Sequence, residues 1–171
     1  MAKGRKRLEI SHQLAEYILE YGLGASNLRA LAAAVGTSDR MLLYYFKDKT
    51  DLIASVLGVL AERLSALLDD YSVSTVLHRE ELFVHASSVL QSNIFHPYMN
   101  LRLELAVMAA RRGADSFYSH SGEAMVQIIL SWLSRQLTSR TAIARDKDAV
   151  EILQMLDGQA AFFAIGMIRT E

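Results

Sequence analysis

Apolar residues along the chain recur at steps of three and four, and hardly anywhere in strict alternation, which is the period of helices. Leu8, Leu14, Ala15, Ile18 and Leu19 share one face over residues 8–21, with Glu9, Glu16 and Glu20 outside, and Gly22 and Gly24 end that helix. Leu28, Leu31, Ala32 and Val35 form a shorter stripe. Ser26 or Asn27 can cap it, because either side chain accepts a hydrogen bond from the first-turn N–H groups. Gly36 follows where a helix stops in a left-handed residue. Ser38 then caps a third short helix that buries Met41 or Leu42 together with Tyr45 or Phe46. A longer stripe through Leu52, Ile53, Val56, Leu60, Leu64 and Leu67 predicts one helix from Thr50 to about Tyr71. Residues 72–75 are a polar break. Further helices are expected over 76–95, over 98–112 (with Pro97 in the first turn and Gly113 at the end), over 122–138, and from Asp146 or Asp148 onward. With one Pro and no Asn-Gly turn, the pattern predicts an all-α chain.

Two of these short helices carry a geometric signal. Helices that cross steeply over a turn of three or four residues need a small side chain where their axes approach, and Ala32 stands four residues before the turn Gly36. That is the helix-turn-helix pattern, although an ordinary helical hairpin can show the same spacing.

The residues around it are more specific. Val35-Gly36-Thr37-Ser38, the aromatic run ending in Phe46, and Lys47-Asp48-Lys49 before the helix at Thr50-Asp51-Leu52 resemble the DNA-binding segment of the tetracycline-repressor (TetR) family. The resemblance covers roughly residues 8–57, with one departure: Leu43 stands where that family usually has Tyr. It implies a three-helix head with a basic arm over 1–50, joined by a long helix to a helical effector-binding and dimerisation domain over 51–171. It further implies a cytoplasmic transcriptional repressor, bound as a homodimer to a palindromic operator and released by a small ligand.

Matched position by position, the recognition helix runs from about Ser38 to Tyr45, and Thr37, Asp39, Arg40 and Met41 face the floor of the major groove. Arg40 is the strongest base reader, since a guanidinium donates two bonds to a guanine edge. Asp39 has two readings, acceptor from a cytosine amino group or favourable charge at a helix N-terminus. Tyr44 and Tyr45 match positions that touch the DNA backbone. Asn27 and Arg29 point at phosphates or the groove edge, and Lys49 brings a cation and a backbone N–H to a phosphate.

In the body, Phe83, Phe95, Met99, Met108, Phe117 and Trp132 are candidate pocket residues; at helical spacing the same residues also read as plain core. The C-terminal stripes Val126, Ile129, Leu133, Leu137 and Leu153, Leu156, Ala160, Phe163, Met167 are candidates for the dimer interface. The last helix is apolar on most sides and must be covered on most sides. The family pairs its last two helices in a four-helix bundle. A two-fold dimer would present recognition helices to half-sites roughly 34 Å apart.

Charge sharpens the picture mildly. The net charge is −1, yet residues 1–49 hold eight Lys/Arg against five Asp/Glu, and the remainder ten against fourteen. The basic excess therefore sits on the reading stretch. Residues 1–7, with Lys3, Arg5, Lys6 and Arg7, read as a solvated tail that can lie along phosphates or in a minor groove on DNA. No apolar run follows them, so they do not read as a signal peptide. The absence of Cys excludes disulfides and thiolate metal sites. Glu81 and His85 with His78 make an incomplete metal set, and no catalytic constellation or cofactor motif is present. Two rivals remain: a helix-turn-helix regulator without an effector, whose body only dimerises or docks a protein, and a small helical enzyme.

Overall fold

The computed structural model describes residues 2–139 and 141–164. They are helical, with no β-strand among the described residues, in the order α1 (Ala2–Tyr21), α2 (Leu28–Ala34), α3 (Asp39–Tyr45), α4 (Lys49–Asp70), α5 (Arg79–Leu90), α6 (His96–Arg112), α7 (Phe117–Gln136) and α8 (Ala142–Ala164). They divide into two compact units. One holds the chain up to Arg63 together with Glu104–Gly122, and the other Leu64–Leu103 with the chain from Glu123 on.

In the first unit, Ile10, Leu14, Ala15 and Ile18 of α1 are buried with Leu31, Ala32, Leu42, Phe46, Leu52, Ile53 and Val56. Gly22 and Gly36 turn the chain at φ +76° and +65°. The side chains of Asn27 and Ser38 accept the N–H groups of Ala30 and Met41 at 2.9 and 3.3 Å, so both short helices start on the caps their sequence supplies. Asp48 does the same for α4, accepting from the Asp51 N–H at 2.8 Å.

In the second unit, Leu64, Leu68, Leu82, Ala86, Phe95, Ile129, Trp132, Leu133 and Ile152 are buried. Gln136, 3% exposed, donates to the Trp132 carbonyl and accepts the Val73 N–H at 2.7 Å. The segment before α5 pairs with the end of α7 through Leu77 and Leu137. That pairing replaces the first helical turn expected at 76–78, and α5 ends at Leu90, not at 95.

Other expectations are corrected. The basic arm is helical from Ala2, because Lys6 pairs with Glu9 along the helix and Arg7 is held by Asp51. Leu8 is 53% exposed; the apolar face of α1 is completed by Ile10. Of the alternatives in α3, Leu42 and Phe46 are the buried pair. Helices α7 and α8 start earlier than Gly122 and Asp146, the latter with Thr141 accepting the Ala144 N–H at 3.2 Å.

Candidate nucleic-acid interface

Helix α3 is seven residues long, and Leu42 is its one buried residue among the described ones. Leu42 at 0% and Phe46 at 1% exposure pin it to the first unit. Most of the rest of it faces outward. Asp39 and Arg40 are exposed, as are Met41 (42%), Leu43 (47%) and Tyr44 (58%); Thr37 and Tyr45 are half-buried at the edges. Three large apolar or aromatic side chains are thus shown to water on two helical turns, where they are available for contact with a partner. Asn27 and Arg29 at the start of α2, Ser38, and Lys49 at the start of α4 are also exposed. The ten residues expected to meet DNA therefore lie on three successive helix starts and the outer face of α3. Asn27 and Ser38 spend their side-chain oxygens on capping.

Two residues that sequence reasoning left in a tail belong to this region. Lys3 holds its ammonium 4.6 Å from the Tyr44 ring centroid, and the Tyr44 and Tyr45 rings meet edge-on at 5.0 Å. Arg7 donates to both carboxylate oxygens of Asp51 at 2.9 and 2.6 Å and to the Ser55 hydroxyl, with its guanidinium 4.8 Å from the Phe46 ring centroid. The same Asp51 accepts the Lys47 N–H at 2.9 Å. The Arg7 hydrogen bonds first, and then the Lys47 N–H, hold the Asp51 carboxyl below the ordinary aspartate range. One carboxylate thus fixes α1, the loop after α3 and α4 together. Lys3 and Arg7 are spaced i, i+4 and so share one side of α1, but nothing in that spacing names Asp51 as the partner. A groove of ≈ 530 Å³ lies between them and residues 43–47.

The remaining candidates scatter. Phe95, Met99 and Trp132 are buried, whereas Phe83, Met108 and Phe117 are half-buried. Phe95 meets Tyr71 edge-on at 5.2 Å, and Trp132 lies 6.0 Å from the His85 ring, whose Nε2 is 2.9 Å from the Tyr71 carbonyl. Met108 and Phe117 fall in the first unit and the other four in the second. Among the dimer candidates, Ile129, Leu133, Leu137, Leu153 and Leu156 are buried within the single chain, and Val126 and Ala160 are half-buried. The Phe163 side chain and Met167 lie outside the described residues. No grouping of three or more His, Asp or Glu suited to a metal occurs among the described residues. No described helix is long and apolar enough to cross a membrane.

An exposed recognition helix on a capped three-helix head, carried on an all-helical chain, defines the helix-turn-helix regulator fold. Residues 12–56, which span most of the head, match the bacterial regulatory proteins of the tetR family. No curated protein sequence matches the chain. Among solved structures, a transcriptional regulator from Rhodococcus sp. Rha1 shares 23% identity at TM-score 0.67, over 91% of this chain and 81% of that one. Salmonella enterica GusR shares 15% identity at TM-score 0.61, over 90% and 81%. The regulator FadR from Bacillus subtilis, in complex with stearoyl-CoA, shares 19% at TM-score 0.51, over 91% and 86%. These likenesses are of fold.

Proposed function

We propose that the chain is a cytoplasmic transcriptional regulator, in the first instance a repressor, that binds a palindromic operator as a homodimer. The observation that carries this is the outer face of α3, where Asp39, Arg40, Met41, Leu43 and Tyr44 are all exposed around the single buried Leu42. Arg40 reads a guanine edge; Met41 and Leu43 supply apolar contact in the groove, suited to a thymine methyl. Arg29, Lys49 and Lys3 neutralise phosphates, which fixes register without reading sequence. Asp39 sits in the first turn of α3 and favours its N-terminus whether or not it also meets a cytosine.

The dimer surface is assigned to the outer faces of α7 and α8. The buried stripe of these helices is already used by the chain's own core, but Val150 (40%), Met155 (39%) and Phe162 (49%) remain exposed beside half-buried Val126 and Ala160. Release by a small ligand in the helical body is supported by the fold shared with FadR, whose structure holds stearoyl-CoA. Such a ligand acts only through its differential affinity for the two head arrangements. The reading without an effector is favoured by one observation, that Phe95, Met99 and Trp132 are packed as core.

Selection from a library of random duplexes at two salt concentrations tests the proposal. The wild type is expected to select a palindrome, which also reports the dimer. Arg40→Ala is expected to relax one position of each half-site at a cost of about 1–3 kcal/mol, whereas Lys49→Ala weakens all sequences alike and lowers the salt slope by about one. A folded protein with no sequence preference would refute the reading.

A further inference from the structure

The turn that joins α1 to α2 is closed by a side chain from far along the sequence. Glu104, on α6, accepts the Leu23 N–H through Oε2 at 2.6 Å. Both residues belong to the first compact unit. Gly22 lies under the same carboxylate: a Cβ there would overlap Oε1, and would stand only 3.0 Å from Cδ and 3.1 Å from Oε2. Gly22 is therefore suited to its left-handed backbone at φ +76°, and a Cβ there would push the Glu104 carboxylate away from the Leu23 N–H. From here a short chain of bonds runs to α2. Ser26 donates its hydroxyl to the Gly22 carbonyl at 2.9 Å and its N–H to the Leu23 carbonyl at 3.1 Å. Leu23 is 6% and Ser26 1% exposed, and the next residue, Asn27, is the cap of α2.

A carboxylate on a backbone N–H is a charge-assisted bond, about twice as strong as a neutral one. Without it, the Leu23 donor would lose its partner at a nearly buried position. We infer that Glu104 is the latch by which α6 sets the position of α2 in the reading head. Withdrawing its carboxylate frees the turn at residues 22–26 and misaligns Asn27, Arg29 and the helix that supports α3. The inference rests on the DNA-binding reading above and adds to it a residue on α6, outside the helices assigned to the DNA-facing surface.

The test uses the full chain with Glu104→Ala, Glu104→Gln, Glu104→Asp, Gly22→Ala and the double variant Gly22→Ala/Glu104→Ala. Affinities for the selected operator and for random duplex are measured at two salt concentrations, beside amide exchange at Leu23. Glu104→Ala is expected to bind operator about tenfold more weakly and to exchange the Leu23 amide about tenfold faster, the size of one lost charge-assisted bond. Its random-duplex affinity should fall by less than its operator affinity, because of the phosphate-facing cations only Arg29 lies on α2, while Lys3 and Lys49 lie outside the freed turn. Glu104→Gln keeps an acceptor oxygen and should stay within about threefold of wild type. Glu104→Asp, too short to reach, should follow Glu104→Ala and serves where that variant melts early. The double variant should lose less than the product of the two single losses, since the overlap at Gly22 vanishes with the carboxylate. Operator binding by Glu104→Ala equal to wild type, equal losses for Gln and Ala, or losses that simply multiply would each overturn the latch while leaving the DNA reading standing. A wild type that selects no operator would overturn both.

Discussion

Helices α3 and α8 are opposites in how they use apolar residues. In α3 a single buried leucine holds the helix, and the residues around it, Met41, Leu43 and Tyr44, are left in water. In α8 the stripe of Ala149, Ile152, Leu153 and Leu156 is buried in the chain's own core, and the large apolar residues left outside, among the described side chains, are Ile143, Val150, Met155 and Phe162. An apolar stripe at helical spacing therefore reports only that a helix is held. What a helix is for is carried by the residues left over once the stripe has been assigned. On α3 those residues are crowded onto two turns beside exposed cations, and on α8 they are spread along a far longer helix.

The sharpest way to break this contrast is inside α3. Leu42→Ala is expected to cost about 2–5 kcal/mol in denaturant unfolding, as for a fully buried leucine. Leu43→Ala, one residue on, should stay within about 0.5 kcal/mol and act instead on operator affinity. Equal losses of stability from the two would mean that α3 is ordinary core and that its outer face is not a working surface.

A second contrast sets the two arginine–aspartate pairs side by side. Arg7 and Asp51, side chains 36% and 28% exposed, join elements of the first unit. Arg102 pairs with Asp157 in the second, and there the arginine is nearly buried at 7% while the aspartate is 36% exposed. Its Nε is buried without a partner among the described residues. The pair is therefore lopsided, and its two halves should not be equivalent. Asp157→Asn leaves a guanidinium short of its counter-charge in the interior and is expected to cost about 1–3 kcal/mol. Arg102→Met should cost less, because the carboxylate left behind can turn to water and the new side chain packs. Thermal unfolding of both variants decides it, and the reverse order would mean that Asp157 is the less solvated partner.

The head was legible in the sequence because its signals are local. Asn27 and Ser38 cap the helices that follow them, Gly36 turns left-handed, and Ala32 is buried where two short helices meet. Each needs only neighbours within a few residues. The arm was misread because what orders it is distant: Arg7 and Asp51 are 44 residues apart, and no periodicity near Arg7 announces the pairing. Glu104 was missed for the same reason, 81 residues from the N–H it accepts. In the body, burial could not separate pocket from core or core from dimer face, since all three demand the same apolar spacing. Leu133 and Leu153 satisfy the pattern expected of a partner surface and are buried inside the single chain.

The smallest expected effect sharpens the comparison of the two aspartates through pH. Asp51 titrates below the ordinary aspartate value of 3.8, held down by Arg7 and the Lys47 N–H. Its ionised form is thus favoured by folding, so its contribution is complete above that value and is lost as pH falls through the lower, folded one. Asp157 titrates above the ordinary 3.8, because burial raises it more than the Arg102 charge and hydrogen bonds lower it. Folding disfavours its ionised form, so the penalty is present above the raised value and disappears as pH falls towards 3.8. The two residues therefore bend the stability curve in opposite directions on opposite sides of that pH. Asp51→Asn should flatten the curve below it by less than about 1 kcal/mol, since the pair is partly exposed and screened by solvent and salt. Asp157→Asn should flatten it above. Unfolding of the wild type and both variants between acid and neutral pH reads the two slopes separately. Matching slopes would place Asp51 and Asp157 in the same kind of environment, against the difference in burial between their arginine partners.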